Sequence, residues 1–173
     1  MHASRLIAGR AWLPALLLCV GLAVGVPAAA ADPSLTEARL EVRDAAGECL
    51  VSLPMPEGEG WCLEWNHSVE GFAVLDCYRH RDGRMVLERS HLPDFAAGLD
   101  HIPGRGRQVS DGEGGYWIEA IDEPVPGNTY RLRVGAMRVD HRLVVDGVRT
   151  SLSRLAANER VTIRLALPAP TLD

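Results

Sequence analysis

The sequence predicts an all-β fold: a single antiparallel β-sandwich or barrel-like domain with one long glycine-rich loop, following an N-terminal signal peptide. Three observations predict it. Apolar and β-branched residues alternate in short segments from Asp32 onward. Gly, Pro and two Asp-Gly pairs punctuate those segments at close spacing. No segment holds a helical period beyond about two turns.

Residues 1–31 stand apart as the signal peptide. Arg5 and Arg10 form a positive start, and the stretch from Ala11 to Ala31 carries no charge. Its short apolar centre ends in small residues, with Ala29 and Ala31 placed for cleavage after Ala31. An uncleaved membrane anchor is the alternative, since 21 uncharged residues are long enough to span. Pro14, Gly21, Gly25 and Pro27 argue against it. Cys19 follows Leu18, where a lipoprotein signal needs a small residue, so lipidation is not expected. The reading is a periplasmic or secreted protein with no membrane span after cleavage.

The remaining 142 residues, 32–173, suit one domain with one core. They hold 16 arginines against 23 acids, a net charge of −7. An acidic chain with no basic cluster is poorly matched to nucleic acid or to anionic lipid. There is no lysine anywhere. That absence excludes Schiff-base chemistry, Ser–Lys dyads and Walker-type phosphate loops.

The expected strands are Ala38–Arg43, Cys49–Leu53, Trp61–His67, Ala73–His80, Met85–Ser90, Tyr116–Ile121, Tyr130–Val134, Val139–Val145, Val148–Leu152 and Val161–Leu167. One short helix fits Leu152–Asn158. Asp82-Gly83 and Asp146-Gly147 sit where tight hairpin turns use them. Between Phe95 and Tyr116 the pattern lapses into AAGLDHIPGRGRQVSDGEGG, with six glycines and no strand period. Arg105 and Arg107, flanked by glycines there, are candidates to meet an anion. The plainer expectation is a flexible surface loop with solvated charges. The spacing fits neither the dinucleotide nor the phosphate-loop pattern.

Three cysteines follow the leader: Cys49, Cys62 and Cys77. In an oxidising compartment one pair should close. In EWNHSVEGFAVLDC, residues 64–77, a turn centred on Val69-Glu70 places Cys62 directly opposite Cys77, at bridging distance. Cys49–Cys62 is the competing pair. With Cys62–Cys77 closed, Cys49 becomes a small buried hydrophobe.

The same register sends Trp61, Leu63, Trp65 and His67 to one face, together with Phe72, Val74, Asp76 and Tyr78 from the partner strand. His67 then opposes Phe72 and Asp76 faces Leu63. His67 and Asp76 are separated by some 13 Å along the strand, too far for a dyad. Ser68 points to the other face, which removes a Ser–His nucleophile. His67 reads as a turn anchor donating to a loop carbonyl, and Glu70 as a solvated acid. None of His67, His80, His91, His101 and His141 has metal-ligand spacing, so neither a metal nor a cofactor is expected from sequence.

HSV with Val74 and Asp76 is followed by DFAAGL at Asp94–Leu99, GGYWI at Gly114–Ile118 and LRVG…H at Leu132–His141. In that order, over about residues 40–155, these resemble the family called domain of unknown function 1850. Its usual segment reads HSV-x-x-x-P-V-x-E; here Ala73 replaces the proline and Asp76 the glutamate. The resemblance implies a small exported or anchored protein commonly encoded beside TAXI-type TRAP transporters, which take up organic acids with a periplasmic binding protein. It carries no catalytic residues. His67, Ser68, Asp76, Gly98 and His141 match its recurring positions and form a candidate surface, to which Arg105 and Arg107 are added.

The expected function is therefore a non-enzymatic accessory of a TRAP system, contacting the permease or its solute-binding protein. The alternative is a periplasmic small-ligand or metal-binding domain, with His67 and His141 as ligands beneath the long loop.

Overall fold

The β-strand patterning is realised in a computed structural model that describes residues 37–93 and 102–169. The strands are β1 (Arg39–Arg43), β2 (Cys49–Pro54), β3 (Gly60–Asn66), β4 (Ala73–Arg81), β5 (Arg84–Leu92) and β6 (Arg107–Ser110). They continue with β7 (Tyr116–Glu119), β8 (Glu123–Pro124), β9 (Thr129–Arg133), β10 (Arg142–Val145), β11 (Val148–Ser151) and β12 (Arg160–Ala166). One short helix, α1 (Leu152–Ala156), starts where the Ser151 side chain accepts the Arg154 N–H at 3.2 Å.

The strands form two antiparallel sheets. A four-stranded sheet has the order β2-β1-β12-β9. An eight-stranded sheet runs β11-β10-β3-β4-β5-β7-β6, with β8 paired on β5. Among the described residues neither closes into a barrel, and the sandwich form of the expectation holds. Their apolar faces share one core: Leu40, Val42, Ile163 and Leu165 from the smaller sheet with Trp61, Leu63, Val74, Tyr78 and Leu143 from the larger. Trp61 stacks on Tyr78 at 4.5 Å between centroids, across the β3–β4 pair.

Both Asp-Gly pairs turn hairpins. Asp82 and Gly83 take φ of 51° and 68° between β4 and β5, and Asp146 and Gly147 take 49° and 76° between β10 and β11. Positive φ at both positions is what the right-handed twist of two-residue hairpins requires. The β3–β4 register is as expected: Cys62 pairs with Cys77, Leu63 with Asp76 and Trp65 with Val74. Cys62 and Cys77 are bridged by a disulfide. It lies on the outer face of the larger sheet, because those residues alternate with the inward Trp61, Leu63, Asp76 and Tyr78.

Four expectations need correction. Strands β6 and β8 were not foreseen. The glycine-rich stretch is not loop throughout: Arg107–Ser110 pairs with Tyr116–Glu119, because β7 would otherwise leave a bare edge. Helix α1 stops at Ala156, two residues early, with Asn158 in the left-handed region at φ 64°. Cys49 is exposed rather than buried, at the start of edge strand β2, where a register shift against β1 turns it outward. The leader and the Asp94–Leu99 element, including Gly98, lie outside the described residues.

Candidate functional site

Among the described residues, the nominated side chains do not form a single centre. His67 closes β3: its N–H donates to the Phe72 carbonyl at 2.7 Å, and its ring stacks on Phe72 at 5.2 Å. Its Nδ1 accepts the Glu70 N–H at 3.2 Å, the reverse of the expected donation to a carbonyl. The turn geometry explains the reversal, since the Glu70 N–H is aimed back at the ring from inside the turn. Ser68 is exposed, and its carbonyl accepts from Arg138 Nη1 at 3.3 Å.

His141 stands one strand over, where its ring stacks on Trp65 at 6.2 Å. Its Nδ1 accepts the Gly135 N–H at 2.8 Å, and its own N–H donates to Ser153 Oγ at 3.0 Å. The Ser153 hydroxyl donates to the Gly135 carbonyl at 2.8 Å, closing the circuit. A Cβ at position 135 would sit 2.7 Å from the Val139 Cβ and 3.2 Å from the His141 Cε1. Glycine is thus the residue that fits, which gives LRVG…H a packing origin. Burial holds the His141 imidazole below its usual range, with Arg142 adding to the effect and Asp140 opposing it.

Both histidines therefore present Nδ1 to a backbone N–H. A nitrogen that accepts cannot carry the proton, so in the neutral ring the proton is on Nε2. A metal ligand through Nε2 needs the opposite tautomer, with Nδ1 donating. Among the described residues no group of three or more His, Cys, Asp or Glu is placed to hold a metal ion. The two rings do not fit a metal pair.

Asp76 and Arg105 do come together. With Trp65, Val74, Ser90, Leu92 and Ile118 they line a cavity of about 180 Å³ on the inner face of the larger sheet. Neither His67 nor His141 is among its walls. Asp76 sits between Leu63 on β3 and Ser90 on β5, and Ser90 in turn faces Ile118 on β7. The Ser90 hydroxyl donates to Asp76 Oδ1 at 2.6 Å. Among the described residues no donor reaches Oδ2. Burial raises the Asp76 carboxyl above its usual range; the Ser90 hydrogen bond and the Arg105 charge only partly offset it.

Arg105 pairs with Glu123 through Nε at 2.9 Å and Nη2 at 2.8 Å. Arg107 Nη2 meets Glu119 Oε2 at 2.9 Å. Each of the two arginines has a carboxylate partner, Arg107 while its side chain stays exposed. Strand β7 supplies Glu119 and the β8 edge Glu123, an arrangement that the glycine-rich sequence conceals.

Sequence reasoning missed Ser90 as the partner of Asp76. A register shift between Cys77 and Tyr78 adds one residue to β5 there. Counted from the Asp82-Gly83 turn without it, Asp76 would oppose Arg89. Trp65, expected on one face with Trp61 and Leu63, is half-buried, between the cavity and the His141 ring.

On the outer face, Glu64 is buried and meets Arg142 Nη2 at 2.9 Å and Arg149 Nε at 3.0 Å. Arg142 also meets Asp140 Oδ2 at 3.1 Å through Nη1 and Asn66 Oδ1 at 2.8 Å through Nη2.

No curated protein matches the chain, and no solved structure does. A family model matches residues 62–152, the segment running from the first cysteine of the disulfide into α1 and holding His67, Asp76, Arg105 and His141. On that match, which spans more than half of its length, the chain belongs to the family described as Domain of unknown function (DUF1850).

Proposed function

We propose that the protein is a non-enzymatic exported accessory of a TAXI-type TRAP transport system, acting by contact with the permease or its solute-binding protein. The observation that carries this reading is an exposed surface built from two joined turns. Asn66 donates its backbone N–H to the Val139 carbonyl at 2.7 Å, and Arg138 reaches the Ser68 carbonyl. The His67–Gly71 turn is thereby tied to residues Ala136–Asp140. On the joined turns Val69 is 80% exposed and Met137 46% exposed, an apolar pair on a fixed backbone. Preorganised apolar side chains of this kind cost little to order in a complex.

The non-enzymatic part is supported by the two nominated histidines, His67 and His141. Each has its basic nitrogen occupied by a backbone N–H, so neither is poised to accept a proton from a substrate. Export is supported by the Cys62–Cys77 disulfide, which persists in oxidising compartments. Among the described residues no helix is long and apolar enough to cross a membrane.

Tagged protein should recover a transporter component from detergent-solubilised envelopes, and Val69→Asp with Met137→Asp should abolish recovery while the disulfide and fold remain. Recovery of neither component by the unaltered protein, or equal recovery by the double variant, would sink the reading. A small-ligand function is the second reading, favoured by the convergence of Asp76, Ser90 and Arg105 on one cavity.

A further inference from the structure

We propose that the cavity bounded by Trp65, Asp76 and Ser90 is a binding site for a small organic ammonium ion with a short apolar body. This rests on the second, ligand-binding reading and is independent of transporter contact. Four features of the cavity select that chemistry.

The first is the one-sided hydrogen bonding of Asp76. Ser90 supplies a donor to Oδ1, whereas among the described residues Oδ2 has none. An ionised carboxylate is acceptor-only, so what completes it must be a donor. The second is charge. Arg105 lines the cavity, but two of its nitrogens are engaged by Glu123. Glu123 offsets that positive charge and leaves the Asp76 carboxylate as the charge a ligand would answer. An ammonium answers it with both a proton donor and the opposite sign.

The third feature is the wall. Trp65, Val74, Leu92 and Ile118 are apolar, and an indole attracts a cation placed over its face. Trp65 is held in place from the other side by the stacked His141 ring. The fourth is size. The cavity, at about 180 Å³, is close to the roughly 150 Å³ that admits a single benzene ring. A C4 amine fits that space.

The test uses the full, disulfide-bonded chain and three probes of one shape: n-butylammonium, n-butanol and butyrate. Each is titrated while the Trp65 indole N–H is followed by ¹H–¹⁵N NMR, with affinities taken from calorimetry. The expected result is saturable movement of the Trp65 signal by butylammonium, with the other two at least roughly tenfold weaker, the scale of one hydrogen bond to a charged group. Asp76→Asn should weaken butylammonium by a similar factor. Glu123→Gln, which removes the carboxylate charge from Arg105 and does not touch the Asp76 carboxylate, should weaken butylammonium and strengthen butyrate. Butanol or butyrate binding as well as butylammonium would overturn the ammonium assignment while leaving a ligand site in place. No movement of Trp65 with any probe would overturn both.

Discussion

Glu64 and Asp76 are two withdrawn carboxylates on neighbouring strands of one sheet, and they are treated in opposite ways. Glu64 is on the outer face with two arginines on it, and one of those, Arg142, is itself bound by Asp140 and Asn66. Asp76 is on the inner face with one hydroxyl and a cavity. The difference teaches how to separate structure from site. A buried charge whose partners are complete is a strut, and its desolvation is offset locally. A half-buried carboxylate with one oxygen open to a cavity keeps an acceptor that a ligand's donor can reach.

The largest way to break the comparison is at the strut. Glu64→Ala leaves the Arg142 guanidinium buried without its principal partner and should destabilise the fold by about 3–5 kcal/mol in urea unfolding. A loss below about 1 kcal/mol would mean that the cluster behaves like an ordinary surface pair. Next is the disulfide that fixes which face each residue takes. With the linked positions 15 apart in sequence, Cys62→Ser with Cys77→Ser should cost about 3 kcal/mol on the loop-entropy account.

A smaller effect comes from removing the single donor to Asp76. Ser90→Ala should cost about 1.5–3 kcal/mol near pH 7, the range for a hydrogen bond to a charged group.

The smallest effect sharpens the comparison by its sign. The folded protein holds the Asp76 carboxyl above its ordinary value, so between the unfolded and folded values the native state binds more protons. Stability is therefore full below the ordinary carboxylate range and falls as pH rises through the folded value. Asp76→Asn removes that fall. Its melting temperature should exceed the parent's near pH 7, and the gap should close near pH 3. A melting temperature below the parent's at neutral pH would place Asp76 among the struts.

Much of the fold was legible because it rests on local rules. The Asp-Gly turns, the alternation of Trp61, Leu63 and Trp65, and the opposition of Cys62 to Cys77 follow from a pleat of period two and a turn of known length. The site was less legible. Asp76 was nominated, but its partner Ser90 depends on one extra residue in β5 opposite the Cys77–Tyr78 step, and nothing local in the sequence marks that bulge. Arg105 was nominated for the wrong reason: its glycine neighbours suggested an anion loop, whereas strand pairing far along the chain gives it Glu123. The histidines stood out by residue type, yet their hydrogen bonds to Glu70 and Gly135 depend on backbone N–H directions set by turns. Gly135 is the one visible trace of the His141 contact.

The account stands on Asp76 being an open, ligand-receiving carboxylate, and its titration reads that directly. The ¹³C carboxyl resonance of Asp76 is followed against pH, without and with n-butylammonium. The predicted result is a midpoint above the ordinary aspartate value in the free protein, moving down when the ammonium is present because the cation favours the charged form. A midpoint at or below the ordinary value, unmoved by the ammonium, would contradict it.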